Sequence, residues 1–504
     1  MKISLNWIKK YVFPLNMDEN KISNILTDIG LTVKGINNEN QDFVLDVEIT
    51  PNRTDAMSHY GIARDLYAVL KFRGYKVHLV KPVVINEGDH CNNNKYNPSI
   101  LLKRHDTCIR YSGIFISKIK IEPSPYWLIS RLRSIGIKSI NNMIDIIHFV
   151  MYELGQPIHI FDMDQIEDRK ILIKNAEKNT KFQSSDNIIR KLDEEDLVIY
   201  DTVKPLSIAG MINHIKSNIH VRTKNIFIGS ACFNPIIIRN LRKKHSIKTE
   251  TQYFFEKDTD PNQTVYALQR AAFLIKNIIK NKIICSDIID CYPNPISISK
   301  IKLRYKKIIN IIGKKISRKK IKEILSLLEM MIYSENDQYL LIRIPSYRTD
   351  VQREIDVIEE IFRIYGIHKI PIHHKIKIST LPKIFFKTEY EIQKILFEQL
   401  VCFGFQEIIS STIRKNEEKF SSLLNSFLKI QEIKILNPVN YNYQFMRSSL
   451  IFSMIDCIEY NLKNNRIKSN IKFFELGNIY YKINNKFLEK TYLGIAMSQK
   501  KTRI

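Results

Sequence analysis

Apolar residues recur at helical spacing in two short segments of the chain. Segment 18–33 (DENKISNILTDIGLTV) and segment 317–332 (SRKKIKEILSLLEMMI) have apolar residues three and four positions apart. Each follows a residue that favours the first position before a helix, Asp18 or Ser317. Each pattern therefore predicts a short amphipathic helix.

The two helices belong to a longer repeated unit. Downstream of the first helix the sequence is DVEITPNRTD followed by GIARDLYAVL, and downstream of the second it is IRIPSYRTD followed by VIEEIFRIYG. Both copies predict a strand, a proline-containing turn, Arg-Thr-Asp and a helix. Ile324 follows Ile25 by 299 residues and Arg348 follows Arg53 by 295, so the copies differ by only four residues of loop. The pattern favours a duplicated small helix-strand-helix module over chance likeness in a biased composition.

The segments between and after the modules predict two further domains. Strand-like runs such as YSGIFISKIKI alternate with helical patterns such as TVYALQRAAFLIKNIIK, which predicts one larger α+β domain. From residue 385 a helix leads into strand patterns, which predicts a helix followed by an antiparallel sheet. This last domain is expected to be incomplete, because a chain that stops after a strand leaves a sheet edge unprotected. The expected fold class is α+β and multidomain, with domains at 1–87, 88–290, 299–372 and 385–504.

Composition and charge narrow the class of protein. The 504 residues include 78 Lys and Arg against 52 Asp and Glu, a net charge of +26 that would attract a polyanion such as RNA. Drift toward A/T-rich codons explains the excess of Ile, Lys and Asn equally well. No apolar run reaches the ~18 residues that span a bilayer, and the seven Cys form no C-x-x-C pair. We therefore expect a cytoplasmic protein without a membrane anchor, a disulfide framework or a zinc site.

The second module contains a cluster of four carboxylates. Asp356, Glu359 and Glu360 share one face of the predicted helix, and the preceding turn can bring Asp350 beside them. Mg²⁺ prefers oxygen ligands of this kind, but an acidic solvated face balanced by nearby arginines is an open alternative. The residues at the same offsets in the first module are Asp55, Gly61, Arg64 and Asp65. Their formal charge is −1 against −4, so only the second module is a candidate for metal.

Two segments of the middle domain contain residues that could serve a site. In ELGQPIHIFD, His159 follows a turn, and in TETQYFFEKDTDP, Thr249, Thr251 and Glu256 precede one. A single histidine beside a turn is more often a satisfied structural group than a catalytic one. The chain has no Ser-His-Asp or Cys-His spacing and no phosphate-binding G-x-x-x-x-G-K-[ST] or G-x-G-x-x-G loop, so covalent and P-loop chemistry have no support.

Six ordered motifs together resemble one family. They are ITPNRTD, SIGIKSINNMIDI, VMYELGQPIHIFDMDQI, TQYFFEKDTDP, IPSYRTDVQREIDVIEEIFRIYG and NPVNYNYQFMRSSL. In order and spacing they resemble the β subunit of bacterial phenylalanyl-tRNA synthetase over nearly the whole chain. The resemblance implies an α₂β₂ tetramer in which the α subunit holds the ATP-dependent class II site that attaches phenylalanine to its tRNA. It implies that the domain from 385 is a catalytically silent copy of the class II fold.

The resemblance also changes the preferred interpretation of the acidic cluster. Asp350, Asp356, Glu359 and Glu360 match the family's Mg²⁺ positions near the contact with the α subunit. On this ground we expect a magnesium site there rather than a solvated face.

By the same resemblance, the middle domain is the proofreading module, which hydrolyses tyrosine wrongly attached to the phenylalanine tRNA. His159 and Thr249 match its pocket. The three departures are Gly229 for a glutamate, Asn213-His214-Ile215 for Gly-Gly-Glu, and Thr251 for a smaller residue. Loss of a hydrogen bond to the tyrosine hydroxyl would remove about 1–3 kcal/mol of discrimination between tyrosine and phenylalanine. The bulkier side chains at the departing positions are expected to narrow the cavity. We therefore expect proofreading to be weak or lost.

Two further departures concern RNA contact. The OB-type tRNA-binding insertion of bacterial relatives is expected to be absent, since only NNENQDF separates Ile36 from Val44. The family's C-terminal anticodon-binding domain is expected to be absent as well. Two other functions stay open: a non-catalytic RNA-binding or assembly protein derived from this subunit, and a free-standing aminoacyl-tRNA hydrolase, which Gly229 disfavours.

Overall fold

The computed structural model describes most of the chain in nine ranges. They are residues 1–39, 42–84, 98–104, 106–279, 283–297, 299–370, 388–415, 431–464 and 471–498. The chain divides into two units, Met1–His374 and Lys375–Ile504. Both contain helices and mainly antiparallel sheets, which confirms the predicted α+β class. No helix in these ranges is long and apolar enough to cross a bilayer.

The first module is a three-stranded antiparallel sheet with three helices. Its elements are β1 Lys2–Ser4, α1 Leu5–Ile8, β2 Val12–Phe13, α2 Glu19–Asp28, β3 Thr32–Glu39, β4 Asp42–Glu48, α3 His59–Phe72 and β5 His78–Leu79. The sheet order is β1, β4, β3, and β2 pairs separately with β5. The predicted helix α2 begins where expected, because the Asp18 carboxylate accepts a hydrogen bond from the Lys21 backbone N–H at 2.7 Å.

The second module repeats this plan. Its elements are β18 Lys300–Arg304, α9 Tyr305–Ile312, α10 Arg318–Leu327, β19 Met331–Glu335, β20 Tyr339–Arg343 and α11 Glu354–Tyr365. The sheet order is β18, β20, β19. In both modules the last strand lies in the centre, and the Arg-Thr-Asp motif follows that central strand. The structure therefore confirms the duplication that the sequence predicts.

The middle domain contains two five-stranded sheets and a separate hairpin. Its elements are β6 Ser99–Leu102, β7 Cys108–Ser117, α4 Tyr126–Ser134, α5 Asn142–Leu154, β8 Ile158–Asp162, β9 Lys170–Asn175, β10 Thr180–Gln183, β11 Ile189–Leu192, β12 Leu197–Tyr200, β13 Pro205–Ile208, β14 Ile212–Asn213, β15 Asn225–Phe233, α6 Pro235–His245, α7 Glu250–Phe255, α8 Gln263–Ile278, β16 Ile284–Cys285 and β17 Ile289–Cys291. One sheet has the order β14, β13, β12, β9, β6. The other has the order β16, β7, β15, β8, with β17 also on β7.

Strand β15 is buried on both faces, because each face packs into a different core. Ile226 and Ile228 belong to the core that contains residues of helix α8. Phe227 and Phe233 belong to the core that contains residues of the other five-stranded sheet. Side chains of a strand alternate between faces, so an unbroken apolar run such as IFIGSACF suits a strand between two layers. This central strand carries Gly229, and its neighbour β8 carries His159.

A buried ion pair of the middle domain also binds a side chain of the first module. The Glu153 side chain of α5 is fully buried and accepts hydrogen bonds from the Arg270 guanidinium of α8 at 2.7 and 2.8 Å. The Tyr11 hydroxyl of the first module donates to the same carboxylate at 2.5 Å. Because burial removes water from the Glu153 carboxylate, it depends on Arg270 and Tyr11 for its polar partners.

The second unit is only partly the antiparallel sheet that the sequence predicts. Its elements are α12 Glu389–Cys402, β21 Gln406–Glu407, β22 Ile413–Lys415, β23 Tyr443–Met446, α13 Ile451–Lys463, β24 Ile471–Ile483 and β25 Lys486–Ser498. Strands β24 and β25 form a long antiparallel pair, as expected. Strand β21 pairs in parallel with β24, which corrects the prediction. Parallel neighbours need a long crossover, and the chain between β21 and β24 includes helix α13.

We predict that Glu153→Gln lowers the free energy of unfolding of the first unit by about 3–5 kcal/mol, because it leaves the buried Arg270 cation without a carboxylate. Urea unfolding of the full chain measures the change. The control is Glu122→Gln, whose ion pair with Lys120 is exposed on both sides and should change stability by less than about 1 kcal/mol. Equal effects of the two substitutions would contradict the prediction.

Candidate functional site

Four of the five predicted pocket residues line one open cleft in the middle domain. The cleft has a volume of about 670 Å³, and His159, Asn213, Thr249 and Thr251 lie on its wall. This volume is within the range of small-molecule sites. The bulkier side chains at Asn213 and Thr251 therefore leave the cleft open. His214 and Ile215 do not lie on the wall.

His159 is a buried, neutral side chain that belongs partly to the core. Only 4% of it is exposed, and its Nε2 lies 2.5 Å from the Tyr111 hydroxyl. Its Nδ1 has no hydrogen-bond partner. Burial lowers the pKa of His159 to about 3. At neutral pH the imidazole is therefore uncharged, and it presents an unpartnered nitrogen.

The fifth predicted residue, Gly229, lies behind His159 rather than on the cleft wall. Its strand β15 runs between β7 and β8, and Gly229 is paired with Gly113 on one side and His159 on the other. A Cβ atom on Gly229 would lie 2.3 Å from His159 Nε2 and 2.6 Å from the Tyr111 hydroxyl. The imidazole and phenol therefore occupy the space into which a glutamate side chain at this position would begin.

Two other predicted polar groups are already engaged by the backbone. The Thr249 hydroxyl donates to the Met211 carbonyl at 3.1 Å and accepts from the Gln252 backbone N–H at 3.2 Å, so it caps helix α7. The Asn213 side-chain amide donates to the Ile160 carbonyl at 3.1 Å. Thr251 is half-buried and lines the cleft. Three of the four lining residues thus help to hold the cleft wall together.

The predicted metal ligands lie in the second module, but arginines bind three of them. Arg348 donates to both oxygens of Asp350 at 2.9 and 3.0 Å and to both oxygens of Glu360 at 2.6 and 2.7 Å. Asp356 accepts from the backbone N–H of Arg353 at 2.8 Å and from its guanidinium, which makes it part of the start of α11. Glu359 points into solvent.

The four carboxylates therefore do not form a ligand set for magnesium. No group of three or more His, Cys, Asp or Glu suited to a metal ion occurs within the described ranges. Glu360 also accepts from Arg363 at 2.8 and 2.6 Å, so positive charge already neutralises its oxygens. The geometry matches the alternative of acids balanced by arginines, and the magnesium site stays a prediction that this arrangement does not fit.

The arginines and acids of both modules form one buried cluster. We call it the Arg–carboxylate cluster; its members are Arg53, Asp55, Arg64, Asp65, Arg348, Asp350, Glu360 and Arg363. No member's side chain is more than 14% exposed, and the four formal positive charges equal the four negative ones. Arg363 of the second module donates to both oxygens of Asp65 in the first module at 3.1 Å. The two copies of the duplicated module are therefore joined through their own Arg-Thr-Asp regions.

Three family models match the chain in order. The B3/4 domain model matches residues 107–280, the tRNA synthetase B5 domain model matches 301–367, and the model of the phenylalanyl tRNA synthetase beta chain CLM domain matches 379–503. The phenylalanine–tRNA ligase β subunit of Bacteroides fragilis is 35% identical over 452 residues, which are 90% of this chain and 54% of that protein. Over most of its length the chain is therefore similar to phenylalanine–tRNA ligase β subunits, domain by domain and in the same order.

Other members of the family give the same result. The β subunit from Porphyromonas gingivalis is 35% identical over 87% of this chain and 53% of its own length, and the one from Aquifex aeolicus is 33% identical over 91% and 56%. The chain thus spans about half the length of these relatives. A crystal structure of an N-terminal fragment of the phenylalanyl-tRNA synthetase β subunit from Pyrococcus horikoshii is 16% identical, with a TM-score of 0.42 over 72% of this chain and 99% of that one.

Sequence reasoning missed several residues of the cleft. Arg190 lines it and donates to both oxygens of Asp186 at 2.9 and 2.7 Å. His148 also lines it, and its Nδ1 has no hydrogen-bond partner. Burial lowers the pKa of His148 below its usual value. The four-residue spacing of Asp186 and Arg190 could have indicated an ion pair. The sequence around them contains no feature that indicates their position beside His159.

Burial and the neighbouring arginines shift the pKa values of the acids in the Arg–carboxylate cluster in opposite directions. Burial alone would raise the pKa of Asp65, but Arg363 and Arg53 outweigh it and hold this pKa below its usual value. Burial would likewise raise the pKa of Glu360, and Arg363 and Arg348 lower it instead. The folded state therefore keeps both groups ionised at pH values where the unfolded chain binds protons.

We predict that the first unit loses stability as the pH falls below about 5, because the unfolded carboxylates take up protons that the folded ones do not. Glu360→Gln should weaken this pH dependence and should cost about 3–5 kcal/mol at pH 7, since it leaves buried guanidinium groups without their partner. Urea unfolding between pH 3 and 7 measures both effects. The control is Glu359→Gln, which changes an exposed residue one position earlier. It should change neither the stability at pH 7 nor the pH dependence of stability. A Glu360→Gln protein with the full acid sensitivity and stability of the wild type would contradict this account.

A second prediction concerns the contact behind the cleft. Gly229→Ala should destabilise the first unit by about 1–3 kcal/mol, because the new methyl group overlaps His159 and Tyr111. The control is Gly35→Ala, another strand glycine, where a Cβ atom would meet nothing within 4 Å. Chemical unfolding compares the two variants. If Gly229→Ala were as harmless as Gly35→Ala, the packing described for His159 would be wrong.

Proposed function

We propose that this chain acts as the β subunit of a phenylalanine–tRNA ligase. In this role it supports the ATP-dependent attachment of phenylalanine to its tRNA by an α subunit, in an α₂β₂ tetramer. The observation that carries the proposal is the ordered match of three β-subunit domain models, together with 35% identity to named β subunits over 90% of the chain. The aminoacylation site is assigned to the α subunit, so this chain provides the scaffold on which that subunit and the tRNA bind.

Charge and cysteine usage are consistent with this role. The net charge of +26 favours a polyanionic partner such as tRNA. Six of the seven cysteines lie in the described ranges and are free thiols, and Cys91 lies outside those ranges. Free thiols suit the reducing cytoplasm, where tRNA is charged.

We propose that proofreading of tyrosine is weak or lost in the middle domain. The cleft is large enough for a small ligand, so the reason is chemical rather than steric. Position 229 supplies no carboxylate, and the Tyr111–His159 pair fills the space in front of it. The Thr249 hydroxyl is used to cap a helix. Among the predicted residues, a tyrosine hydroxyl entering the cleft would therefore meet the unpartnered Nδ1 of His159 but no carboxylate, and rejection of a substrate depends on such polar partners.

Magnesium enters the proposal only as the ion that accompanies ATP in the assembled ligase. The acidic residues of the second module are assigned to a structural role instead. Asp350 and Glu360 join the two modules through arginines, and Asp356 caps helix α11. Glu359 remains the one carboxylate of the four that faces solvent.

The test is to co-express the chain with the α subunit encoded in the same genome. A complex of the two chains should charge phenylalanine tRNA, and neither chain alone should do so. RNA binding without a stable complex would instead favour the alternative of an RNA-binding or assembly protein derived from this subunit.

Proofreading is tested separately with tyrosyl-tRNA. Because position 229 supplies no carboxylate and the Thr249 hydroxyl is already hydrogen-bonded, the purified complex should hydrolyse tyrosyl-tRNA at close to the rate in buffer. An editing-competent bacterial ligase, assayed at the same concentration, is the control. Turnover that equals this control would contradict the proposed loss of proofreading without affecting the proposed role in charging.

A further inference from the structure

The three-stranded sheet of the second module has one face in the core and one face in solvent. The inner face carries the buried side chains of Ile301, Leu303, Leu340 and Ile342. Because side chains alternate along a strand, the residues between them point outward. We call this surface the outer sheet face; its cations and aromatic rings belong to Lys300, Lys302, Tyr333, Tyr339 and Arg343. Arg304, at the end of β18, already pairs with Glu354 and is not included.

Two lysines of the outer sheet face lie over tyrosine rings. The Lys300 ammonium is 4.2 Å from the centroid of the Tyr333 ring, and the Lys302 ammonium is 4.1 Å from that of Tyr339. Strands β18 and β19 lie on opposite sides of β20, so the first pair reaches across the whole sheet. Tyr333 is 66% exposed. A cation–π contact at such an exposed site is weak, so a flat ligand can replace the lysine on the ring.

The cations of the outer sheet face are not paired with acids. Lys300, Lys302 and Arg343 form no ion pair within 4.0 Å among the residues that the structure describes. Glu335 is the single acid of these three strands, and it binds Lys322 of helix α10 at 2.7 Å. The outer sheet face therefore presents three positive charges without a counter-charge from the protein.

The first module provides an internal comparison for this charge. Its three-stranded sheet has the same arrangement, with the last strand in the centre. The residues 295 positions before Leu341 and Arg343 are Asp46 and Glu48. Glu48 binds Lys34 at 3.1 Å, and Asp46 binds the amino terminus at 3.5 Å. The first copy thus neutralises its own sheet face, whereas the second copy has no acid at either position.

The most exposed ring is also specific to the second copy. In both sheets one residue of the outer strand is skipped in the pairing with the central strand: Lys34 on β3 and Tyr333 on β19. A residue at such a bulge is left out of the ladder, and bulges often redirect a side chain. The first copy has an acid-bound lysine at this position, and the second has an open aromatic ring.

We propose that the outer sheet face binds an unpaired segment of RNA, with bases stacked on Tyr333 and Tyr339 and phosphates bound by Lys300, Lys302 and Arg343. Every base has a flat π face, so aromatic rings on an open sheet bind unpaired bases with little regard to sequence. The cations neutralise the backbone of the same strand. The bases of a duplex are already stacked on one another, so this face should prefer a single strand.

Charge and ring exposure together favour a nucleic acid over an acidic protein. The second module, residues 299–370, contains 16 Lys and Arg against 9 Asp and Glu. An acidic protein would neutralise the cations, but it would not need two rings that lie flat beneath them. The choice of RNA over DNA rests on the proposed ligase function, whereas the outer sheet face is defined by the structure alone.

The test uses the full chain without an α subunit and fluorescein-labelled oligonucleotides, followed by fluorescence anisotropy. The probes are a mixed-sequence RNA strand of about 12 nucleotides, an RNA duplex with the same number of phosphates, and the corresponding DNA strand. The single RNA strand should bind more tightly than the duplex and at least as tightly as the DNA strand. A net charge of +26 attracts all three probes, so the preference for unpaired RNA is the informative quantity.

The stacking variant is Tyr333→Ala/Tyr339→Ala. It should weaken binding of the single RNA strand by about tenfold or more and that of the duplex by less than about twofold, because only unpaired bases use the rings. Tyr333→Phe/Tyr339→Phe keeps the rings and should bind like the wild type. The matched control is Tyr126→Ala/Tyr253→Ala, which removes two exposed tyrosines of the middle domain and should leave the preference unchanged.

The charge variant is Lys300→Ser/Lys302→Ser/Arg343→Ser. It should lower the slope of log Kd against log salt for the single strand by about 2, since each phosphate contact contributes about 0.7. The control changes three exposed lysines elsewhere in the same module to serine, and it should leave this slope unchanged. These lysines are Lys315, Lys319 and Lys320.

Several results would overturn the proposal. One is a wild type without preference for the single strand, which would leave the cations to an acidic protein. Others are equal losses for strand and duplex in the alanine variant, weak binding by the phenylalanine variant, or equal effects of the two charge variants, which would indicate attraction by net charge alone. Tighter binding of the DNA strand would exclude RNA as the ligand. None of these measurements uses the α subunit or charging of tRNA, so failure of this inference and failure of the proposed ligase function are distinguishable.

Discussion

The Arg–carboxylate cluster is the interaction on which the arrangement of the first unit depends. Eight ionisable side chains are buried together, and each would be strongly unfavourable alone in a medium of low dielectric constant. They are tolerated because every acid lies against at least one guanidinium group and the formal charges cancel. Arginine suits this role, since its planar fork binds a carboxylate through two parallel hydrogen bonds. The duplicated modules therefore need each other to bury their own motif residues.

Duplication explains the form of the cluster. In each module an arginine binds the aspartate two residues later and an acid twelve residues later on the following helix: Arg53 with Asp55 and Asp65, Arg348 with Asp350 and Glu360. The copies then diverged at the helix surface. Position 64 is a buried arginine in the first copy, whereas the corresponding position 359 is an exposed glutamate in the second.

This divergence shows what the sequence could and could not predict. Capping residues and apolar spacing were sufficient for helices α2 and α10, and the repeated strand–turn–helix order was sufficient for the duplication. Glu360 is bound by Arg348 and Arg363, which are close in sequence and belong to the alternative of acids balanced by nearby arginines. What the sequence could not predict is that Arg363 is shared with Asp65, which lies 298 residues before Arg363 in the chain. Counting only the acids of one helix overestimates the negative charge, because Arg348, Arg353 and Arg363 bind three of the four carboxylates. The helix-face pattern alone left the metal site and the arginine-balanced acids as open alternatives, and only the family resemblance favoured the metal site.

The cleft illustrates the same limit in a sheet. The sequence placed His159, Thr249 and Gly229 in one neighbourhood, and the structure brings all three within the middle domain. What the sequence did not contain is the register that sets Gly229 directly beside His159 and beneath Tyr111. Register decides which side chain faces which, and a shift of one residue would reverse it. The chemical character of the cleft therefore depends on strand pairing, and a match of residue types to a pocket does not reveal which groups remain free.

Charge balance separates the two polar regions of the first unit. In the Arg–carboxylate cluster, the protein supplies a cation for each anion, and an added metal ion would have to displace a guanidinium group from a bidentate pair. In a cavity beside it, Asp258 and Asp260 form no ion pair within 4.0 Å among the described residues, but Arg64 and Lys257 line the same cavity. A buried carboxylate must gain a proton, an arginine or a metal ion to be tolerated. The number of acidic residues is therefore a poor guide to where a cation binds, because the arginines and lysines that packing brings beside them decide how much negative charge remains.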